Sequence, residues 1–183
     1  MKKTIVLATL LAVSAVSFGQ EKYFTKTGKI GFYSKAPMED IEARNKTVAA
    51  ILDSKTGVLQ FSALMKSFEF PKALMQEHFN ENYVESDKYP KAEFKGHITN
   101  SNSIDYSKDG TYPASVKGNL TIKGVTREVE TTGQLKIQGG KIDATSSFTV
   151  SLSDYQISIP SVVKDKISNQ IKITVDCHLE PLK

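Results

Sequence analysis

The chain has 183 residues, of which 39% are hydrophobic and 24% are charged, and its formal charge at pH 7 is +4. Two of the basic residues, Lys2 and Lys3, lie in an N-terminal segment that we expect to be removed. The remaining 24 − 2 = 22 basic residues then face 20 acidic residues, which leaves a charge of about +2. This near-neutral balance, without basic runs interleaved with aromatic residues, argues against nucleic acid as a partner.

The first residues have the pattern of a secretory signal peptide. Two lysines precede an apolar stretch over residues 5–16, and Ser17 and Gly19 supply small residues for cleavage. The apolar stretch is too short for a membrane-spanning helix, which needs ~20 residues. We therefore expect residues 1–19 to be a cleaved signal and residues 20–183 to form a single domain. The mature protein is then periplasmic or secreted.

Short segments with period-two alternation of apolar and polar residues follow, separated by turn-forming residues. This pattern predicts an all-β fold of about eight antiparallel strands, arranged as a sandwich or a barrel. An eight-stranded barrel is wide enough for packed side chains or for one small elongated ligand. The alternating positions lie near residues 30–32, 40–52, 59–65, 92–98, 116–122, 129–137, 142–152 and 171–179.

Four of the nine phenylalanines lie in the stretch from Phe68 to Phe94. Phe68 and Phe70 are predicted to end the third strand before Pro71, and a short amphipathic helix follows over about residues 72–79. Such a helix plugs one end of a barrel or covers an apolar cavity, although each aromatic residue taken alone also fits a plain hydrophobic core. The predicted apolar face of the helix holds Leu74, Met75, His78 and Phe79.

No motif in the sequence predicts a metal site, a cofactor or a catalytic centre. The three histidines, His78, His97 and His178, have no second ligand at a spacing typical of metal sites. Cys177 and His178 are adjacent on the last strand, so their side chains point to opposite faces and cannot cooperate. We expect Cys177, the only cysteine, to be a buried small residue and His178 to face solvent.

Four motifs occur in a distinctive order over about residues 28–179. They are Phe68-x-Phe70 followed by His78-Phe79; Tyr89-Pro90-x-Ala92-x-Phe94-x-Gly96; Gly118-Asn-Leu120-Thr121-Ile122-Lys-Gly124-Val125-Thr126-Arg127; and Phe148-x-Val150 followed by Asp154-Tyr155-x-Ile157. In these motifs the chain resembles the YceI-like family of secreted, isoprenoid-binding proteins. The resemblance implies an eight-stranded antiparallel lipocalin-like barrel, with one short helix between strands three and four and an isoprenoid in an internal tunnel.

The resemblance also implies which residues contact the ligand. Matching positions place Phe68, Phe70, Phe79, Phe94, Leu120, Ile122, Phe148 and Tyr155 in the tunnel wall or the helix lid. Phe32, Phe61, Met75 and Ile157 complete the predicted ligand-binding set. Thr126, Arg127 and Asp154 are candidates for contacts to a ligand head group. Alternatively, Arg127 pairs with a carboxylate and holds the turn after Gly124.

Three functions remain open at this point. The first is a carrier or storage protein for an isoprenoid or another long apolar lipid, with transient membrane contact and a homodimer as further possibilities. The second is a stress-response or interaction module with a filled core, which an internal void would contradict. The third is an enzyme of isoprenoid metabolism with His78 or His97 as its acid–base group.

Overall fold

The computed structural model describes residues 22–182, so the predicted signal peptide lies outside the described residues. Eight antiparallel strands form a closed barrel in which each strand pairs with its neighbour in sequence and β8 pairs with β1. The predicted eight-stranded barrel is confirmed. The strands are β1 Lys22–Lys35, β2 Asp40–Asp53, β3 Val58–Leu64, β4 Lys91–Ile98, β5 Gly110–Ile122, β6 Val125–Gln138, β7 Lys141–Ser151 and β8 Gln170–Pro181.

The predicted helix is present between β3 and β4. Helix α1 spans Ala73–His78 and continues as a π-helical turn over Phe79–Tyr83. The π-turn widens the last helical turn, a feature that is frequent at functional sites. Within the described residues, no helix is long and apolar enough to cross a bilayer.

The prediction that β3 runs to Phe70 was wrong. β3 ends at Leu64, and a 3₁₀ turn over Met65–Ser67 redirects the chain across one end of the barrel. Glu69 then pairs with Arg44 of β2 through two backbone hydrogen bonds of 2.9 and 3.1 Å. This detour carries Phe68 over the end of the barrel, where its ring is buried.

The β5–β6 hairpin brings two of the sequence motifs together. Its two loop residues, Lys123 and Gly124, both have positive φ, as a type I′ turn requires. A Cβ on Gly124 would lie 2.7 Å from the ring of Tyr89, so the absence of a side chain lets this ring pack on the turn. The Lys123 ammonium also forms an ion pair of 2.7 Å with Glu85. The segment after the helix is therefore fixed to this hairpin.

The buried residues form two clusters at opposite ends of the barrel. The packed end contains Tyr23, Ala50, Leu52, Leu59, Ile98, Ile104, Ala114, Val116, Leu135, Ile137, Ile142, Ala144 and Leu179. The hollow end, next to α1, contains Ala43, Val48, Ala63, Met65, Phe68, Val84, Val150, Tyr155, Ile157 and Ile171, with further half-buried apolar residues around them.

Cys177 lies on β8 and is fully buried, as predicted. Burial raises the pKa of its thiol to about 11. Because the thiolate is the reactive form, this cysteine is largely inert at neutral pH.

Candidate ligand-binding cavity

A cavity of about 600 Å³ occupies the hollow end and the middle of the barrel. Its floor is formed by residues of the packed end, among them Leu59, Ile98 and Leu135. At the other end it reaches α1, where the exposed Leu74 and the half-buried Met75 border it. The cavity is thus closed at the packed end and opens beside the helix.

All of the predicted ligand-binding residues border this cavity. They come from β1, β3, β4, β5 and β7, from the helix and its π-turn, and from the segments after β3 and β7. The geometry shows that these side chains share one chamber, while their contact with a ligand stays a prediction. The residues are Phe32, Phe61, Phe68, Phe70, Met75, Phe79, Phe94, Leu120, Ile122, Phe148, Tyr155 and Ile157.

Four phenylalanine rings form a cluster under the helix. Phe79, at the start of the π-turn, lies 5.4 Å from Phe32, 5.7 Å from Phe68 and 5.1 Å from Phe70 between ring centroids. Phe32 contacts Phe68 and Phe70 at 5.5 and 5.7 Å. Aromatic pairs at these separations stabilise by about 0.5–1.5 kcal/mol beyond the area they bury. The rings therefore hold the helix lid on the barrel by contacting one another.

Glycines on the inner face of the barrel keep the chamber open. Gly96 and Gly118 pair across β4 and β5, and the ring of Phe94 lies so close that a Cβ on either glycine would be 2.7 Å from it. The ring therefore lies flat against the wall. Gly133 of β6 is a third inner position without a side chain, and it also borders the cavity. Gly96 and Gly118 thus make room for the Phe94 ring, and at Gly133 the cavity is bordered by bare backbone.

Charged groups lie at the opening beside α1. Lys72 Nζ and Glu39 Oε1 form an ion pair of 2.8 Å that joins the β1–β2 loop to the start of the helix. The hydrogen bond from Lys72, aided by the charge of Lys166, keeps the pKa of Glu39 below its usual value. The amide of Met38 donates to the carbonyl of Asp165 at 2.9 Å. Three separate segments thus meet around the opening.

The segment between β7 and β8 also contributes to the cavity wall, which the sequence pattern does not indicate. This segment forms 3₁₀ turns over Leu152–Tyr155 and Ser161–Val163 and adds Val163, Lys166 and Ile167 to the cavity wall. The apolar residues within an otherwise polar stretch were the available signal. They follow neither a helical nor a strand period, so pattern reading does not assign them.

The three head-group candidates do not border the cavity. Thr126, Arg127 and Asp154 are all exposed. The hydroxyls of Thr126 and Thr121 are hydrogen-bonded at 2.8 Å, and Arg127 Nη1 donates to the carbonyl of Thr126 at 3.0 Å. This hydrogen bond of Arg127 is local to its own strand, and the pairing of Arg127 with a carboxylate also stays a prediction. A head-group role for these residues stays a prediction.

The ionisable side chains in the described part of the chain are not arranged as a metal site. Within residues 22–182, no group of three His, Cys, Asp or Glu side chains is placed to hold a metal ion. His78 borders the cavity on the exposed side of α1, whereas His97 is exposed on β4 and does not border it. His178 is exposed, as predicted, and is hydrogen-bonded to Asp143.

The closed antiparallel barrel, with its apolar interior chamber and helix lid, defines a lipocalin-like binding barrel. A model of the YceI-like domain family matches residues 14–179. The protein therefore belongs to the YceI-like family, as the motifs indicated.

Solved structures share this fold at low sequence identity. A polyisoprenoid binding domain from Saccharophagus degradans, implicated in plant cell wall breakdown, is 13% identical; the match covers 89% of this chain and 99% of that one, with a TM-score of 0.78. BcnA from Burkholderia cenocepacia is 18% identical over 83% and 94% of the two chains, with a TM-score of 0.66. The YceI protein of Campylobacter jejuni is 17% identical over 73% and 81%, with a TM-score of 0.55. No curated protein shows significant sequence similarity.

Proposed function

We propose that this protein is a periplasmic or secreted binding protein that carries or stores an isoprenoid, or another long apolar lipid, in the barrel cavity. The observation that carries the proposal is the apolar chamber of about 600 Å³ beneath the helix lid. The alternative of a filled core requires packed side chains along the whole barrel, and the hollow end does not meet that requirement.

The wall of the chamber suits a hydrocarbon chain. Burying apolar surface contributes ~25 cal/mol per Å², so each 100 Å² of ligand surface adds about 2.5 kcal/mol without any specific hydrogen bond. If each non-hydrogen atom takes the ~30 Å³ of a liquid water molecule, the cavity holds on the order of 20 such atoms, or about four isoprene units. A longer chain would extend out of the chamber.

Two further observations support the proposal. The domain from Saccharophagus degradans with the same fold is described as polyisoprenoid binding. The N-terminal sequence has the features of a secretory signal, which supports location outside the cytoplasm. Binding of an apolar chain requires no catalytic group, and the cavity wall is mainly apolar, with Glu39, Lys72, Glu93 and Lys166 as its charged residues.

The opening also has the features of a surface that touches membranes. The three most exposed large hydrophobic residues in residues 22–182 are Val162, Met38 and Leu74, with exposed fractions of 87%, 71% and 60%. They come from the three segments that meet at the opening. An apolar collar around the opening would let a lipid move between bilayer and cavity without crossing water.

Native mass spectrometry of protein purified from its own host, combined with organic extraction, tests the binding proposal. We expect a co-purifying apolar molecule, or uptake of an added quinone or prenyl phosphate by emptied protein. Empty protein that takes up neither probe would overturn the proposal.

A matched pair of variants assigns the binding to the chamber. Ala63 points into the cavity from β3, whereas Ala49 lies on the outer face of β2 and does not border it. Ala63→Phe should weaken lipid uptake by about tenfold or more, because the ring occupies ligand space. Ala49→Phe should leave uptake unchanged. Equal effects of the two variants would indicate binding elsewhere.

A further inference from the structure

The wall of the barrel separates between β6 and β7. These strands pair from Gln138↔Lys141 to Gly133↔Ser146, and no pair beyond Gly133↔Ser146 occurs in their described register. β6 nevertheless continues to Val125 along β5, and β7 continues to Ser151 along β8. The two strands therefore diverge toward the hollow end and leave a gap.

A similar separation elsewhere in the barrel is covered. β2 and β3 pair only over Ala49–Leu52 and Leu59–Ser62, but the chain after β3 crosses β2 through the Arg44–Glu69 bridge. Near the gap between β6 and β7, the 3₁₀ turn Leu152–Tyr155 contacts β6. The part of the gap next to Gly133 and Ser146 has no comparable backbone bridge among the described residues.

Hydroxyl groups occupy the corner at which the strands diverge. Ser146 Oγ donates to the carbonyl of Thr132 at 2.8 Å, and the hydroxyls of Thr131 and Ser146 are 3.5 Å apart. A Cβ on Gly133 would lie 2.5 Å from the carbonyl oxygen of Thr145, so glycine lets the strands approach closely before they separate. The corner is thus built by small and hydroxylated residues.

The cavity borders the corner at which the strands separate. Thr131 and Ser146 alternate toward the interior, whereas Gln134 and Thr145 alternate outward and are exposed, yet all four border the cavity. The loss of strand pairing beyond this corner, together with outward residues on the cavity, points to an opening in the wall. We call this opening the seam window, formed by Thr131, Gly133, Gln134, Thr145 and Ser146, with Val129 and Phe148 as its apolar sides.

The two openings differ in their chemistry. The opening beside α1 carries Glu39, Lys72 and Lys166, whereas the seam window presents hydroxyl and amide groups without charge. An amphiphile in an apolar chamber must place its polar end where it finds hydrogen-bond partners, since burial without them costs ~1–3 kcal/mol. The hydroxyl protons of Ser146 and Thr131 already go to the carbonyl of Thr132, so these groups can accept from an alcohol. The amide of Gln134 can donate to a carbonyl group.

We propose that the seam window binds the uncharged polar end, a hydroxyl or carbonyl group, of the isoprenoid-like ligand whose chain fills the chamber. This inference rests on the proposed function and adds a second, lateral opening to it. A ligand with an anionic head group would instead place that group at the lysines beside α1.

A reversible disulfide tests the opening. Thr132 and Ser147 would form the next pair after Gly133↔Ser146, and both are exposed and point outward. In a Cys177→Ala background, oxidation of Thr132→Cys/Ser147→Cys should close the window and weaken binding of geranylgeraniol by about tenfold, with recovery on reduction. The control Lys136→Cys/Asp143→Cys staples strands that are already paired and should change nothing. If the oxidised variant, with its disulfide verified by mass spectrometry, bound geranylgeraniol as before, the proposal would be overturned.

A second variant tests whether the hydroxyl groups bind the polar end of the ligand. It also tests the proposal if the disulfide does not form. Thr131→Val/Ser146→Ala removes both hydroxyls while nearly preserving volume. Loss of about one hydrogen bond should weaken geranylgeraniol binding by roughly three- to tenfold and leave geranylgeranyl phosphate unaffected. Equal weakening, or none for either probe, would overturn the assignment of the polar end. If the unaltered protein binds neither probe, the proposed function itself fails.

Discussion

The same eight strands build two ends of the barrel that differ in how they use apolar side chains. At the packed end, aliphatic residues such as Leu52, Ile142 and Leu179 are fully buried and meet in the centre. The long β4–β5 loop adds Ile104, which closes that end. At the hollow end further apolar side chains, among them Phe32, Phe70 and Phe79, are only partly buried and enclose space.

The difference shows that aromatic content alone does not fill a core. Phe32, Phe68, Phe70 and Phe79 contact one another beneath the helix, and Phe94 lies against the glycine pair. The rings are therefore held at the periphery. Stability should depend mainly on the packed end, while the hollow end is free to receive a ligand.

The largest expected effect comes from removing a packed side chain. Leu179→Ala should lower the free energy of unfolding by about 2–5 kcal/mol, because it leaves a void in close-packed surroundings. Leu120→Ala should cost less than half as much, since Leu120 already faces the cavity. Urea unfolding of both variants measures the contrast. Equal losses would mean that the two ends contribute alike to stability.

The glycine pair gives the next largest effect. A Cβ on Gly118 would lie 2.5 Å from the Cα of Gly96 and 2.6 Å from the carbonyl oxygen of Lys95, both of which are backbone atoms. Gly118→Ala should therefore cost about 1–3 kcal/mol. The control Gly110→Ala meets only the Tyr112 side chain, at 3.2 Å, and should cost less. Thermal and urea unfolding measure both variants. A larger loss of stability for Gly110→Ala than for Gly118→Ala would refute the role of the Gly96–Gly118 pair.

Alkaline pH should destabilise the hollow end through Tyr155. Burial raises the pKa of this buried tyrosine to about 12 from 10.0, and the charge of Asp154 adds to the effect. The neutral phenol is thus favoured in the fold, so its contribution is fully present below pH 10 and is lost as pH rises toward 12. Two pKa units correspond to roughly 2–3 kcal/mol as an upper limit.

Tyr155→Phe in a Cys177→Ala background isolates this dependence. The background is needed because the thiol, whose pKa burial raises from 9.0 to about 11, causes a similar loss between those pH values. The phenylalanine variant should show a smaller loss of unfolding free energy between pH 10 and 12. An identical pH profile with and without the phenol would contradict the assigned cause.

The smallest expected effect concerns membrane binding by the exposed apolar residues at the two ends of the barrel. Replacing Met38, Leu74 and Val162 together by serine should weaken binding to phosphatidylcholine vesicles by about tenfold without altering thermal stability. The control replaces Val58 and Leu182, which are exposed at the packed end, by serine. If both sets of serine substitutions changed vesicle binding equally, or if the unaltered protein did not bind vesicles, the proposed apolar collar would be refuted.

Much of the fold was predictable, because the alternation of apolar and polar residues indicates which face of each strand is buried. The strand positions and the helix near residue 75 follow from local patterns. The end of β3 was not predictable, because the 3₁₀ turn at Met65–Ser67 and the Arg44–Glu69 bridge depend on a strand that is distant in sequence.

The candidate site was likewise predictable only in part. The aromatic lining was predictable from the motifs, and each predicted lining residue borders the chamber. The lining from Val163 and Ile167, the ion pair of Lys72 with Glu39 and the seam window were not predictable. Each of them depends on how distant segments meet.

The sequence by itself determined the strands, their inward faces, the helix between β3 and β4 and the family, because these depend on local alternation and on motifs. Only the tertiary structure decided that the barrel is hollow at one end and separated between β6 and β7. The physical reason is that a void depends on distances between side chains of non-adjacent strands. Gly96, Gly118 and Gly133 permit that void, but their effect becomes visible only when the strands are closed into a barrel.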